Sequence, residues 1–208
     1  ALYNKDEIAL LVEWDDSTNK QEEVFRDAIS LQFPTKIPES LKKPYFAMGD
    51  SSGAVNLWSW KAYWHEGFGQ IVEAPEQEPG VVSELNAKGF KSITTQPPES
   101  QNITGKGIYQ NGRWKVVFKR TLKTEDAKGD IQFEIGKLIP IAFAVWDGSN
   151  SDFGGQKSVS SWYYISLEKP VPKTVFVYVL IAVVMGASVE LWFVARLRRF
   201  PPKLEEEE

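Results

Sequence analysis

An uninterrupted apolar segment near the C-terminus constrains this chain more than any other feature. Residues 175–195 (VFVYVLIAVVMGASVELWFVA) contain a single charge, Glu190. Their length matches the ~20 residues that a helix needs to cross a bilayer. A buried core helix is the alternative, but the segment is too long and too uniformly apolar for it. We therefore expect one membrane-spanning helix, and residues 1–170 must fold as a domain of their own.

Basic residues around the apolar segment predict its orientation. Two lysines, Lys169 and Lys173, precede it and are partly offset by Glu168, whereas four basic residues follow it: Arg196, Arg198, Arg199 and Lys203. The positive-inside rule then places the C-terminus in the cytoplasm and the first domain outside the cell membrane. Since such a domain requires an export signal, we expect Ala1 to follow a signal peptide that has been removed.

Short apolar segments bounded by turn residues fill the first 170 residues. Asn111-Gly112 is the strongest short hairpin signal among them, and residues 73–101, rich in Pro, Glu and Ser, are predicted to form long loops. The predicted strands are residues 7–14, 24–33, 55–64, 108–122, 131–135, 138–146 and 158–167. This spacing predicts an antiparallel β-sandwich. The expected organisation is an extracytoplasmic sandwich (1–170), a transmembrane anchor (171–199) and an acidic cytoplasmic tail (200–208).

The inventory of ligating residues excludes many kinds of site. There is no cysteine, one histidine (His65) and two methionines (Met48 and Met185). Disulfides, iron–sulfur clusters and covalently attached haem are therefore excluded, as is any site with several histidines. The net charge of −4, without a basic stripe, argues against nucleic-acid binding. No paired carboxylates or nucleophile–base set stands out, so a hydrolase is the least favoured class.

Two motifs carry a resemblance to a known family. Residues 45–50 (YFAMGD) precede an aromatic segment, residues 56–61 (NLWSWK), and residues 154–162 (GGQKSVSSW) follow residues 143–147 (FAVWD). These segments resemble the haem-binding γ subunits of ethylbenzene dehydrogenase, dimethyl sulfide dehydrogenase and related molybdoenzymes of the dimethyl sulfoxide reductase type. The resemblance implies one haem b in a β-sandwich, with Met48 and Lys157 as axial ligands.

The chemistry of these residues agrees with the resemblance. A thioether favours reduced iron, and a lysine ligates only as the neutral amine, which burial promotes. Trp58, Trp60 and Trp162 are candidate walls for a flat apolar cofactor. The resemblance further implies a non-catalytic electron-transfer subunit. Its partners would be iron–sulfur and molybdopterin subunits, or other subunits of a respiratory complex in the membrane.

Each candidate residue also has a simpler interpretation. Met48 alone is more often a core residue, and Lys157 alone is usually a surface charge. His65 is an alternative haem ligand, although a solvent-exposed strand end is the simpler explanation. A different class of function also stays open: a carbohydrate-binding module with Trp58, Trp60 and Trp64 as its platform, or a structural ectodomain without haem.

Overall fold

The computed structural model describes residues 1–18, 25–39, 42–62, 82–169 and 171–199. The chain divides into two compact units, Ala1–Glu168 and Lys169–Glu208. Trp64 and His65 lie outside the described residues, so their predicted roles have no structural description.

Eleven strands occur among the described residues. In chain order they are β1 (Leu2–Tyr3), β2 (Glu7–Asp15), β3 (Ala28–Pro34), β4 (Val55–Lys61), β5 (Val82–Ala87), β6 (Thr94–Thr95), β7 (Thr104–Tyr109), β8 (Arg113–Thr121), β9 (Leu138–Trp146), β10 (Ser158–Val159) and β11 (Tyr163–Ser166). A smaller sheet has the order β1-β2-β8-β7. A larger sheet has the order β10-β9-β3-β4-β5-β6, with β11 also paired to β9. All these pairings are antiparallel, as the sequence predicts.

The predicted hairpin joins β7 to β8. Asn111 and Gly112 both have positive φ, 54° and 72°, as a type I′ turn requires at its two central residues. Gln110 and Arg113 close the turn with two backbone hydrogen bonds of 2.9 and 3.1 Å. Along β8, after this turn, exposed and buried side chains alternate. The hairpin predicted from Asn-Gly is confirmed.

The two sheets pack face to face over a shared aromatic core. The smaller sheet contributes Trp114, Val116 and Phe118, and the larger sheet contributes Leu31, Phe33, Trp58 and Trp60 among others. Trp60 and Trp114 meet edge to face, with ring centroids 4.9 Å apart. The antiparallel sandwich is therefore confirmed, and its core lies between the sheets.

Gly107 on β7 leaves the space that the Trp60 indole occupies. A Cβ at Gly107 would lie 2.1 Å from Cζ2 of Trp60. Since Trp60 is fully buried, we expect Gly107→Ala to lower the free energy of unfolding by about 1–3 kcal/mol through overpacking. Urea denaturation measures this loss. Gly155→Ala is the control, because its Cβ meets nothing within 4 Å; equal stability of the two variants would contradict the packing argument.

A buried charged cluster connects the two sheets. Nη1 of Arg120, on β8, donates a 2.6 Å hydrogen bond to Oε1 of Glu84, on β5, and lies 3.8 Å from Oδ2 of Asp130. All three side chains are fully buried. The guanidinium group also lies 4.9 Å from the ring centroid of Trp58. The cluster thus holds two carboxyl groups and one guanidinium group away from water.

Several predicted elements differ from those observed. Residues 131–135 are not a strand, although Ile131 and Phe133 are buried in the core. Part of the predicted long loop, residues 73–101, forms β5 and β6, while its residues 73–81 lie outside the described residues. The strand predicted at 158–167 is split into β10 and β11. All seven residues of β3 are buried, so both faces of this strand are covered.

The second unit contains one helix, α1 (Lys173–Arg199), of 27 residues. At a rise of about 1.5 Å per residue it is ~40 Å long, and it is long and apolar enough to cross a membrane. Arg196, Arg198 and Arg199 lie in its last turn. The predicted C-terminal helix of membrane-spanning length is confirmed.

Candidate functional site

The candidate site lies on the outer face of the larger sheet, the face turned away from the shared core. Paired residues share a face, and Ser30 of β3 pairs with Ser59 of β4 and with Ala144 of β9. Since Leu31 and Trp58 on the opposite face belong to the core, these small side chains point outward. Ser30 and Ser59 are nevertheless only 5% and 8% exposed. These positions on the outer face are therefore shielded from solvent, and small residues form its floor.

Met48 lies over one end of this floor. Its side chain packs against a second apolar cluster, formed by Val55, Leu57 and Ala87, together with Trp162. Leu57 pairs with Gln32 of β3, which puts the cluster on the outer face. Met48 is half-buried, and its φ of 73° lies in the left-handed region. A residue with a Cβ is held there only by its surroundings, a condition that clusters at functional sites.

Lys157 lies over the other end of the floor. Its Nζ is 4.8 Å from the ring centroid of Trp146 and donates a 3.3 Å hydrogen bond to the carbonyl of Gly154. Trp146 pairs with Ala28 and so shares the outer face with Ser30. Burial lowers the pKa of the Lys157 ammonium. None of the ion pairs found among the described residues involves Lys157. Within that part of the chain, its half-buried amine therefore has no carboxylate partner.

The edge strand formed by β10 and β11 contains a β-bulge. Val159 pairs with Ala144 and Tyr163 with Ile141, so the edge strand advances four residues while β9 advances three. The extra residue reverses the alternation of side chains beyond it. Val159 and Trp162 therefore both face outward, whereas a regular strand would place them on opposite faces. The bulge lets the GGQKSVSSW motif present two of its residues to the same face.

Trp162 connects the second motif to the first. Its Nε1 donates a 2.8 Å hydrogen bond to the carbonyl of Pro44, and its ring packs on the same apolar cluster as Met48. The structure therefore brings Met48 and Trp162 together, from loops more than 100 positions apart in the sequence.

Trp58 and Trp60 do not belong to this site. They alternate with Leu57 and Ser59 along β4 and point into the core between the sheets, where they are 0% and 1% exposed. The indole Nε1 of Trp58 donates to Asn56 and Glu84 instead. Our interpretation of these two residues as cofactor walls is wrong, because the aromatic face of β4 is its core face. The same burial removes them from a carbohydrate platform.

Two residues of the site were missed in the sequence. Gln32 and Trp146 both face outward, and Gln32 hydrogen-bonds the backbone of the Met48 loop. A glutamine within an apolar strand was the available signal for the first. Trp146 lies in the FAVWD segment, but nothing in the sequence shows which face of β9 it occupies.

The chemistry and spacing of the candidate ligands fit a haem. The two candidate ligands are anchored near Gln32 and Ala28, four residues or about 13 Å apart along β3. The small side chains of Ser30, Ser59 and Ala144 lie midway between these anchors. The Met48 thioether lies at one end of this row of small side chains. At the other end lies the Lys157 amine, which has no carboxylate partner among the described residues.

Comparison with known proteins finds a family to which part of this chain is similar. A family model described as ethylbenzene dehydrogenase matches residues 91–158, which include Lys157. Three curated proteins are similar over two thirds or more of this chain. Over these residues the chain is similar to the ethylbenzene dehydrogenase family. The family match and its relatives agree with the resemblance stated from the two motifs.

These similar proteins are subunits of redox complexes by name. The "Putative respiratory nitrate reductase heme subunit ORF7" of Haloferax mediterranei is 33% identical over 67% of this chain and 43% of its own length. The chlorate reductase subunit gamma of Ideonella dechloratans is 28% identical over 73% and 56%. The dimethylsulfide dehydrogenase subunit gamma of Rhodovulum sulfidophilum is 30% identical over 67% and 47%. The chain spans about half the length of these relatives.

One protein of known structure is also similar, but distantly. It is a "putative carbohydrate-binding protein" from Bacteroides uniformis, with a TM-score of 0.37 and 12% identity over 80% of this chain and 68% of its own. A likeness of this size bears on neither fold nor function.

Proposed function

We propose that this chain is a non-catalytic electron-transfer subunit that holds one b-type haem on the outer face of its larger sheet, with Met48 and Lys157 as axial ligands. The observation that carries the proposal is the placement of these two side chains over the two ends of one small-residue floor. The names of the relatives support a redox role, since one is a heme subunit and two are gamma subunits of a reductase and a dehydrogenase.

The residues of the site each have a distinct task in this proposal. When bound, the haem would supply one-electron chemistry at its iron. Met48 presents a thioether, which stabilises the reduced state. Lys157 presents a neutral amine, and its burial lowers the pKa of the ammonium and so eases loss of the proton. Trp162 closes the Met48 side of the site. Since the chain has no cysteine, the cofactor is held without the covalent thioether bonds of a c-type haem, in agreement with the proposed b type.

The surroundings of the subunit follow from its second unit. In our proposal α1 anchors residues 1–170 outside the cell membrane, and residues 200–208 form a cytoplasmic tail. Arg196, Arg198 and Arg199 at the C-terminal end of α1 support this orientation. The partners would be iron–sulfur and molybdopterin subunits, or other subunits of a respiratory complex, between which the haem relays electrons.

A reduced-minus-oxidised visible spectrum tests the proposal. The full chain, produced with an export signal in a haem-replete host and purified in detergent, is expected to show the sharp bands of low-spin haem. Met48→Ala and Lys157→Ala should each lose these bands or become high-spin, because each removes one axial ligand.

Matched variants make this test specific. Met185→Ala, in α1, and Lys128→Ala, on an exposed turn, remove the same side chains elsewhere and should keep the wild-type spectrum. His65→Ala tests the alternative ligand. Loss of the bands in the His65 variant alone would keep the haem and overturn the ligand assignment. A folded wild-type protein that stays colourless with ample haem would refute the proposal.

A further inference from the structure

One buried amide side chain holds the backbone on both sides of Ala47. Gln32 lies on the outer face of β3 and is 5% exposed. Its Nε2 donates a 2.7 Å hydrogen bond to the carbonyl of Phe46, and its Oε1 accepts a 2.9 Å hydrogen bond from the backbone N–H of Met48. A single side chain of the rigid sheet therefore satisfies both a donor and an acceptor of the segment that carries the candidate ligand.

A second backbone contact completes the hold on Met48. The N–H of Gly89, in the turn after β5, donates a 2.8 Å hydrogen bond to the carbonyl of Met48. Both backbone polar groups of Met48 thus bind partners outside its own loop. Its φ of 73° is disfavoured for a residue with a Cβ. These two contacts offset that cost, and they fix the direction in which the Met48 side chain leaves the backbone.

Glutamine supplies this pair of contacts, whereas glutamate and apolar residues of similar size do not. The segment needs one donor and one acceptor from a neutral side chain that reaches beyond the sheet surface. Glutamate offers two acceptors, and its carboxylate would face the carbonyl of Phe46. An apolar residue would pack beside Leu57, with which Gln32 pairs, but would leave the N–H of Met48 and the carbonyl of Phe46 without these partners. Apolar packing alone therefore does not explain a glutamine here.

We propose that Gln32 is a positioning residue that keeps the thioether of Met48 on the iron in the oxidised state. The inference rests on the proposed function, in which Met48 is an axial ligand. A thioether favours reduced iron, so its bond to oxidised iron is the weaker of the two and depends more on a preset geometry. Gln32 touches neither the iron nor the haem in this proposal. It acts through the backbone of Met48.

The test compares two glutamines that make the same kind of contact. Gln32→Met keeps the volume and removes both hydrogen bonds, whereas Gln32→Glu keeps the acceptor for Met48 and removes the donor to Phe46. Gln101→Met is the matched control, because Gln101 likewise bridges backbone groups, with bonds of 2.7 and 2.9 Å to Glu84. All three are made in the full chain and loaded with haem.

Three readouts report the bond between Met48 and the iron. They are the thioether-to-iron charge-transfer band of the oxidised protein, the midpoint potential, and the affinity of the oxidised protein for imidazole, which competes for the thioether position. In Gln32→Met we expect the band to weaken or vanish and the potential to fall. Imidazole should bind about tenfold more tightly, the effect of losing one to two hydrogen bonds. Gln32→Glu should lie between this variant and the wild type.

The outcomes separate this inference from the proposed function. A wild-type protein that binds no haem would refute both the proposed function and the positioning role of Gln32. A wild-type protein with the thioether band, together with a Gln32→Met protein of unchanged band, potential and imidazole affinity, overturns the positioning role alone. Equal changes in Gln101→Met would also overturn it, since they would report general loosening of the fold. If Gln32→Met fails to fold, Gln32→Glu decides, and its wild-type behaviour in all three readouts would refute the role.

Discussion

Arg120→Met is expected to lower the free energy of unfolding by about 3–5 kcal/mol, the usual cost of removing one partner from a buried ion pair. Glu84 and Asp130 would stay fully buried without their guanidinium partner. The carbonyl of Ile131, which accepts from Nη2 of Arg120, would lose its donor as well. Methionine fills a similar volume, so the loss reports the charges rather than a cavity. Denaturant titration of the full chain in detergent measures it.

The pH dependence of this variant follows from Glu84. Burial raises the pKa of its carboxyl above the ordinary value of 4.5; Arg120 opposes this shift, and Asp130 adds to it. The folded state therefore holds this proton more tightly than the unfolded state, and stability falls as the pH rises through the raised pKa. Without Arg120 the pKa of Glu84 rises further. The deficit of Arg120→Met should consequently be smaller near pH ~5 than near pH ~8.

Arg113 on the same strand provides the control for Arg120. It pairs with Asp15 and Glu13, but its side chain is 47% exposed. Exposed ion pairs contribute little, so Arg113→Met should leave the unfolding curve close to that of the wild type. Adding Glu84→Gln to Arg120→Met should recover part of the loss, because the two residues form one network. A loss in Arg120→Met that is independent of pH would contradict the role given to Glu84.

Local chemistry explains why much of the sandwich could be predicted from the sequence. Asn111-Gly112 specifies the β7–β8 hairpin through its two positive φ angles, and the predicted bounds of β9 are those observed. In contrast, Ile131 and Phe133 are buried in the core without any ladder pairing. A short segment bounded by turn residues predicted a strand there, but such a segment does not show whether a neighbouring strand is present to pair with it.

The predicted site was partly wrong for a related reason. Trp58 and Trp60 are two residues apart and so lie on one face of β4, but this spacing does not show which face meets the other sheet. Both faces of β4 are covered. Residue composition therefore did not distinguish the face that meets the core from the face that meets the site. The bulge between Val159 and Tyr163 is visible only in the pairing register. The motif resemblance pointed to Met48 and Lys157, but their common face depends on pairings between strands distant in sequence.

Trp162→Ala is expected to loosen the loop that carries Met48. The indole packs on the Val55, Leu57 and Ala87 cluster, and its Nε1 donates to the carbonyl of Pro44 at the start of that loop. Since Trp162 is half-buried, removing its ring should cost about 2–3 kcal/mol, less than in a closed core. The loss should be local. Backbone amides of residues 42–54 should exchange hydrogen faster, as mass spectrometry can measure, while those of β8 should not change.

Two further variants separate packing from hydrogen bonding at Trp162. Trp162→Phe keeps most of the apolar contact but removes the donor to Pro44, so it should lose only about 1 kcal/mol. Tyr163→Ala is the control, since the adjacent ring is 59% exposed and lies beyond the bulge on the opposite side of the edge strand. Because Met48 packs on the cluster that Trp162 covers, haem retention should fall in the order wild type, Trp162→Phe, Trp162→Ala. If Trp162→Ala and Tyr163→Ala exchanged and retained haem alike, the indole would have no part in closing the site.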